Sequence, residues 1–575
     1  MKAKHLFAIL TITISLCLSG EFALGAPTPQ ANQALQSDPE LTAGIQRAQA
    51  LLAQQDFASA EKALRQLAEK FPDKPGPTYL LGNSLHGLKR YDEARGMFEK
   101  SKSFPQVKIN SLYNIACTWS MQNKPDETFA ALDEAIKAGF ANFGQMQGDS
   151  DFDNIKEDPR FKKLIPDFLA DDELFVEPTR IIGKWTGEAA GDQFGWTARR
   201  IGDLDGDNII DFITTAPTHN SGAGKIYVYS SRSGKLIYSV TGQPGDSLGN
   251  SATGIGDVNG DGTVDFIAGA PTAGGTGAAF VYSGKDASVL HSLKGNTKGG
   301  QFGYEVSECG DIDGDSTPDF LVGEMAGDGA ARQSGRVIVY SGKTAESIFD
   351  FSGDRSGDGF GNAAAVEKIG DGEFLIAIGA QNAGPSNRGC VCVYHVKDSK
   401  PELRFKIEGD ENSVNLGQMF LSFPGDVDRD GTPDVYASDF SDNTKAKGGG
   451  KVVIHSGADG RELLAIHGKN AGEGLGTSPS DAGDIDGDGI GDLVIGAWQN
   501  REGATSGGKI YVYSLADGGK LLRTITCKQS GDTLGFDACG IGDVDGDGKI
   551  DFLVTSAWSN NPAPKTGRVF IVAGE

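Results

Sequence analysis

Six acidic nonapeptides with one internal spacing carry the chemistry of this chain; they begin at Asp203, Asp257, Asp311, Asp426, Asp484 and Asp543. Each places side-chain oxygens at its positions 1, 3, 5 and 9. The sets are Asp203, Asp205, Asp207 and Asp211; Asp257, Asn259, Asp261 and Asp265; Asp311, Asp313, Asp315 and Asp319; Asp426, Asp428, Asp430 and Asp434; Asp484, Asp486, Asp488 and Asp492; and Asp543, Asp545, Asp547 and Asp551. Asn259 is the one amide among them. Carboxylates crowded into nine residues repel one another, and an all-oxygen cage is what a hard cation takes, so the spacing predicts six structural calcium sites. A solvated Asp-Gly turn would account for one or two copies, but not for six in register. An EF-hand loop would place an acid at position 12, where this chain has Thr214, Ala268, Val322, Ala437, Ile495 and Val554. Helix-loop-helix calcium sensing is therefore disfavoured.

The elements that must hold these loops are short strands. In the second unit Asp246-Ser247-Leu248-Gly249 leads into a strand and the loop; then follow Phe266-Ile267-Ala268-Gly269-Ala270-Pro271, Ala279-Phe280-Val281-Tyr282-Ser283-Gly284 and Val289-Leu290-His291-Ser292-Leu293. Four strands per unit result. Successive loops start 54, 54, 115, 58 and 59 residues apart, and 115 is two periods. One unit has therefore lost its loop, at Val366 to Ile378, where Ile369-Gly370-Asp371-Gly372-Glu373 is too short and too poor in oxygens. Seven four-stranded units arranged radially make a β-propeller, an architecture that hides sheet edges by repetition. The last unit lacks a fourth strand, and Arg180-Ile181-Ile182-Gly183-Lys184-Trp185 before the first is a spare one. That segment is expected to close the ring.

Ahead of the propeller, residues 41–140 read as helices, with Phe57, Tyr91 and Pro125 marking an interval of 34. That interval and the small and apolar residues at matching places resemble tetratricopeptide repeats. Leu81, Gly82, Ala94 and Phe98 carry the resemblance in the second copy; Ala48, Ala60, Leu64 and Pro72 carry it in the first, and Ala116, Leu132 and Ala135 in the third. Thr128 departs from the usual alanine. Small residues let paired helices approach, and stacked pairs bury a seam that no single pair can bury. Asp151 to Leu169 is expected to cap the array with another helix. A concave groove for a peptide or protein, or a spacer for the next domain, are the two readings of such an array.

From residue 179 onward the chain resembles the FG-GAP repeats of the integrin α-subunit N-terminal propeller. Phe194-Gly195, Phe302-Gly303 and Phe360-Gly361 match one half of that signature; Gly269-Ala270-Pro271 matches the other, with Thr215-Ala216-Pro217 and Gly496-Ala497-Trp498 as variants. The resemblance implies that each loop joins the first two strands of a blade on one face, with partners on the opposite face. It also implies position-7 carbonyl ligands from Ile209, Thr263, Thr317, Thr432, Ile490 and Lys549. No inserted adhesion domain interrupts the repeats, so integrin-type ligand binding is not implied.

The fold class read from sequence is thus multidomain: all-α tetratricopeptide-like helical repeats, then an all-β seven-bladed propeller. The boundaries are a signal peptide at 1–26, a linker at 27–40, helical repeats at 41–140, a capping helix and linker at 141–178 and the propeller at 179–575. Lys2, Lys4, the apolar run Leu6 to Leu18 and Ala23-Leu24-Gly25-Ala26 have the pattern of a secretory signal, too short to span a bilayer. A secreted, periplasmic or cell-surface location follows as an expectation, with no membrane span after cleavage. The net charge of −25 argues against nucleic acid, and six calcium ions would offset about half of it. Gly at 82 of 575 residues fits a turn-rich region.

Several motifs mislead. Gly245-Asp246-Ser247-Leu248-Gly249 has the spacing of a nucleophile elbow, but the same slot holds Gly191-Asp192-Gln193-Phe194-Gly195 and Gly531-Asp532-Thr533-Leu534-Gly535. A turn that persists while its serine varies is structural. Gly503 to Gly508 with Lys509 has P-loop spacing, yet Ile510 stands where a hydroxyl would hold magnesium. The histidines show no ligand spacing. Cys390 and Cys392 read as buried side chains, a metal pair or a strained bridge, and Cys527 with Cys539 is the pair to test for a disulfide. Trp498 and Trp558 each follow Ala in the GAP slot and could stack on sugar or anchor a protein; packing between blades is the plainer role. The functional expectation is a non-catalytic, calcium-bound propeller for adhesion or scaffolding, engaging a protein or glycan at the cell exterior. The alternative is a lectin-like or polysaccharide-lyase-like propeller.

Overall fold

A computed structural model describes residues 39–575 except 139, 141–145, 147–148, 165–170, 479, 517 and 575. The expected signal peptide and the linker up to residue 38 lie outside the described residues. The described residues fall into two compact units, those up to 167 and those from 168 onward.

In the first unit six helices form three antiparallel pairs: α1 (Pro39–Ala53) with α2 (Phe57–Lys70), α3 (Pro75–Gly87) with α4 (Tyr91–Ser101), and α5 (Lys108–Met121) with α6 (Pro125–Lys137). Phe57, Tyr91 and Pro125, the marks of the 34-residue period, each open the second helix of a pair. The turn inside each pair repeats in the backbone as well. Gln55, Lys89 and Asn123 all take a left-handed conformation, with φ of 58°, 61° and 58°. Ala48, Ala60, Leu64, Leu81, Ala94, Phe98, Ala116, Leu132 and Ala135 are buried in one core. A side chain at Gly82 would lie 2.5 Å from the Phe98 ring, so glycine there lets α3 and α4 meet. Thr128 is tolerated in place of alanine because its hydroxyl donates to the Lys124 carbonyl of its own helix at 2.7 Å. The expected single capping helix is instead a 3-10 turn at Ser150–Phe152 and a short helix, α7 (Pro159–Leu164). Pro159 fixes where that helix starts. Phe152, Ile155 and Phe161 nevertheless close the apolar seam.

The second unit is seven four-stranded antiparallel sheets. Blade one runs Ala198–Gly202, Asp211–Ala216, Lys225–Tyr229 and Leu236–Thr241. First strands contact the first strands of neighbouring blades, so they form the inner ring. Second strands such as Asp265–Ala270 are buried at every residue, as their unbroken apolar runs require, whereas the fourth strands alternate with solvent. The last blade is Ala538–Gly542, Asp551–Ser556 and Arg568–Val572, completed by Ile181–Thr186 with Trp185 opposite Val569. The ring thus closes with the strand that precedes blade one. In blade four the first two strands, Phe360–Gly370 and Glu373–Ala380, are joined by Asp371-Gly372 in a two-residue hairpin, with no room for a loop.

FG and GAP prove to be two halves of one contact between blades. The Gly303 carbonyl would lie 1.8 Å from a Cβ at Gly269, and Gly303 itself has φ +83°. From blade two to blade seven, the residue in the FG slot also forms a parallel bridge to the start of the preceding blade's third strand, as Phe302 does with Gly277. Residues 171–178, expected as linker, instead pack on blade six. Val176 N–H donates to the Thr526 carbonyl at 2.9 Å, Lys528 N–H to that of Leu174 at 2.8 Å, and the Glu177 carboxylate accepts from the Thr524 hydroxyl at 2.6 Å. The Cys527–Cys539 pairing is corrected as well. Both thiols are free and buried, and they sit in different cores. Cys390 and Cys392 are likewise free and buried. Among the described residues no helix is long and apolar enough to cross a membrane.

Candidate metal centres and the opposite face

All six acidic loops join the first strand of a blade to its second, and they share one hydrogen-bonded frame. The position-1 carboxylate accepts backbone N–H groups from across the turn. Asp203 takes those of Gly206 at 2.7 Å and Asn208 at 2.8 Å, Asp257 those of Gly260 and Gly262 at 2.7 Å, and Asp543 those of Gly546 at 2.7 Å and Gly548 at 2.8 Å. The position-5 carboxylate accepts from the N–H of position 7: Asp207 from Ile209, Asp261 from Thr263, Asp315 from Thr317, Asp430 from Thr432, Asp488 from Ile490 and Asp547 from Lys549, at 2.8–3.0 Å. Every loop is thereby curled so that its odd-numbered acids converge.

Convergence is close. Single carboxylate oxygens of Asp203, Asp205 and Asp211 lie within 4.8 Å of one another; so do those of Asp311, Asp313 and Asp315, of Asp426, Asp428 and Asp434, and of Asp484, Asp486 and Asp488. In the second loop the Asn259 side-chain NH2 donates to the Asp265 carboxylate at 3.4 Å, while its oxygen accepts the Asp261 N–H at 2.9 Å. The position-9 residues Asp211, Asp265, Asp319, Asp434, Asp492 and Asp551 are fully buried. Each accepts the position-2 N–H at 2.7–2.9 Å. Most of them also accept an N–H just beyond the third strand, as Asp265 does from Gly284 at 2.9 Å, which ties the loop into the sheet.

Burial pushes the carboxyls of Asp211, Asp319, Asp434 and Asp492 up to about 6, and the position-3 aspartate of each loop adds to it. Burial also raises Asp265 and Asp551. Basic side chains reach acids at positions 3 and 5, with Arg180 2.5 Å from Asp545, Arg461 2.5 Å from Asp428 and Lys343 3.8 Å from Asp315, and none is paired with a position-9 carboxylate among the described residues. The donor set is oxygen throughout and fits a hard divalent cation.

Strand direction places Trp498 and Trp558, which follow second strands, at the edge of the blades away from the loops. There they meet each other edge to face with centroids 4.9 Å apart. Phe536 lies 5.9 Å from Trp498, and Trp196 4.9 Å from Phe536. This half-buried aromatic patch spans blades six, seven and one, and Lys565 Nζ sits 5.3 Å from the Trp558 ring. Sequence reasoning missed Trp196 and Phe536. Both follow the FG slot directly, and aligning that slot across units would have shown them.

It also missed a charged group on the inner ring. Arg199 donates to Asp537, whose carboxylate also accepts the Ala198 N–H at 3.0 Å. Burial raises the nearby Glu305 carboxyl to about 8, with Arg199 opposing and Asp537 adding to the shift.

The catalytic-looking motifs dissolve into turns. Asp246 accepts the Gln243 N–H at 3.0 Å and Ser247 has φ 56°, as its counterparts Gln193 and Thr533 have 55° and 61°. Lys509 pairs with Glu502 at 2.6 Å. Two propeller histidines serve locally: His291 reaches the Gly342 carbonyl at 2.8 Å and His455 that of Gly460 at 2.9 Å.

Comparison with known proteins agrees with both halves. The tetratricopeptide repeat profile matches residues 45–107, and the FG-GAP repeat profile matches residues 480–513. Integrin alpha-5 of Xenopus laevis is 31% identical over 231 residues, covering 37% of this chain and 22% of that protein. Integrin alpha-V of Gallus gallus is 28% identical over 230 residues, with the same coverages. A chloroplastic protein of Arabidopsis thaliana is 32% identical over 95 residues, or 16% of this chain and 28% of that one. The chain thus spans about a fifth of the two integrin subunits. Seven blades, the FG-GAP contact and the 34-residue helical repeat together make this an FG-GAP repeat protein whose propeller is similar to that of integrin α subunits, with tetratricopeptide repeats ahead of it.

Proposed function

We propose that the protein is an exported, non-catalytic, calcium-binding propeller that holds a protein ligand in adhesion or scaffolding. The observation that carries this reading is the buried ninth carboxylate of each loop, desolvated beside other acids and without a basic partner of its own. A calcium ion in each loop would be held by the acids at positions 1, 3, 5 and 9 and by the carbonyls of Ile209, Thr263, Thr317, Thr432, Ile490 and Lys549. Bound there, it supplies positive charge and rigidity and takes part in no reaction. With the loops engaged by cations, the opposite face is free for a partner, and the half-buried patch of Trp196, Trp498, Phe536 and Trp558 has the aromatic enrichment of interface cores. Export rests on the first 26 residues alone.

Equilibrium calcium titration of the purified protein is expected to give six equivalents, and five for Asp313→Ala; fewer than four in the wild type would sink the six-site reading. Capture from envelope extract is expected to be lost in EGTA and weakened at least tenfold by Trp498→Ala with Trp558→Ala. Retention of polysaccharide beads by the wild type, lost in the same variant, would instead favour the glycan-binding alternative.

A further inference from the structure

The core of the helical unit holds a cluster of different chemistry. His86 lies near the end of α3, Cys117 within α5, and Asp149 and Asp151 in the turn that follows α6. Ligand-capable atoms of Cys117, Asp149 and Asp151 lie within 4.8 Å of one another, and His86 Nε2 is 3.2 Å from Asp151 Oδ2. Cys117 and Asp149 are each 3% exposed, Asp151 6%, and the His86 side chain 11%.

Asp149 is satisfied within the protein, for it accepts the Tyr113 hydroxyl at 2.8 Å and the Asp151 N–H at 3.0 Å. Asp151 Oδ2 and His86 Nε2 are not. Both atoms are shielded from water and neither makes a hydrogen bond, although they are 3.2 Å apart. A buried carboxylate and imidazole that close normally align on each other, because an unmade buried hydrogen bond costs about 1–3 kcal/mol. Their 3.2 Å separation fits an ion pair and equally two neighbouring ligands of one small ion. Two ligands each about 2.0 Å from a tetrahedral ion stand about 3.3 Å apart. Cys117 Sγ lies 3.9 Å from Asp149 Oδ2, a small contraction away from ligand spacing.

We propose that His86, Cys117 and Asp151, with Asp149 as fourth ligand, bind one borderline divalent transition-metal ion of the zinc class. Sulfur and imidazole nitrogen suit such an ion and not the hard cation of the propeller loops. The S–H proton of Cys117 leaves to solvent as the metal–sulfur bond forms. An ion so held ties the second helix pair, the third and the turn at 149–151 into one body, which is a structural role.

The test is a cobalt(II) titration of the purified protein in excess calcium, since oxygen-only loops cannot give a thiolate-to-cobalt charge-transfer band. One equivalent of cobalt is expected to develop that band and zinc to abolish it. Cys117→Ser should eliminate it, Asp151→Asn should weaken binding at least tenfold, and Cys390→Ser should leave it intact, with helicity checked by circular dichroism. No band in the wild type, or an unchanged band in Cys117→Ser, overturns the proposal and leaves a buried His86–Asp151 ion pair. Should Cys117→Ser fail to fold, zinc protection of Cys117 from alkylation in the wild type decides, and absence of protection is equally fatal.

Discussion

At the scale of single residues, the loop acids and the blade-contact glycines do different work. The ninth-position carboxyls set a pH dependence. A carboxyl whose folded pKa lies above its unfolded value of about 4 stabilises the fold below that value and loses the contribution as pH rises through the folded one. For Asp211, Asp319, Asp434 and Asp492 the folded value is about 6. Calcium-free protein is therefore expected to melt higher at pH 5 than at pH 7, and saturating calcium to remove or reverse that difference; identical profiles with and without EGTA would refute it. Glycine works by space. Gly269→Ala forces a Cβ to within 1.8 Å of the Gly303 carbonyl, so a loss of about 3 kcal/mol is expected in chemical denaturation. Gly260→Ala, in a loop at φ +76° with no atom nearby, should cost only about 1 kcal/mol of backbone strain.

At the scale of elements, ring closure is the decisive contact. Ile181–Thr186 gives the last blade its fourth strand, and Trp185 packs edge to face on Phe212 of blade one at 4.7 Å. A chain beginning at residue 187 exposes the edge of Arg568–Val572 and is expected to melt well below one beginning at 171, or to pair edge to edge with a second copy in sedimentation. Equal melting temperatures with both chains monomeric would contradict the closure argument. Much at this scale was legible beforehand, because strands, loops and helix pairs each repeat, and a period is written in the sequence wherever the same local contact recurs. Phe57, Tyr91 and Pro125 mark helix starts for that reason. The cap was not legible. Asp151 to Leu164 occurs once, and its form depends on Phe152 meeting Tyr113 and Phe161 at 5.6 and 6.0 Å. Nor was the place of residues 171–178, whose hydrogen bonds to blade six lie about 350 residues away in sequence.

At the scale of the molecule, calcium held in six loops, as proposed, would act as a distributed clamp. With free calcium at ten times its dissociation constant, each site adds roughly 1.4 kcal/mol, so all six together rival the net stability of a domain. EGTA is expected to lower the melting temperature by several degrees or more, and an unchanged melt would remove the structural role. Blade four, joined by Asp371-Gly372, should be the one blade whose hydrogen exchange does not change with calcium.

By itself the sequence determined the number of blades, the strand that closes them, the loop-less unit and the acids of each loop. These follow from local patterns repeated in register, for which a single chain supplies its own comparison. Tertiary structure alone decided what depends on residues far apart meeting once. The aromatic patch draws Trp196 to Phe536 across the closed ring, and Arg199 finds Asp537 across the same seam. His86, Cys117 and Asp151 gather from separate helices and a turn without any shared spacing. Repetition encodes a scaffold in sequence, but singular contacts exist only once the chain has folded around them.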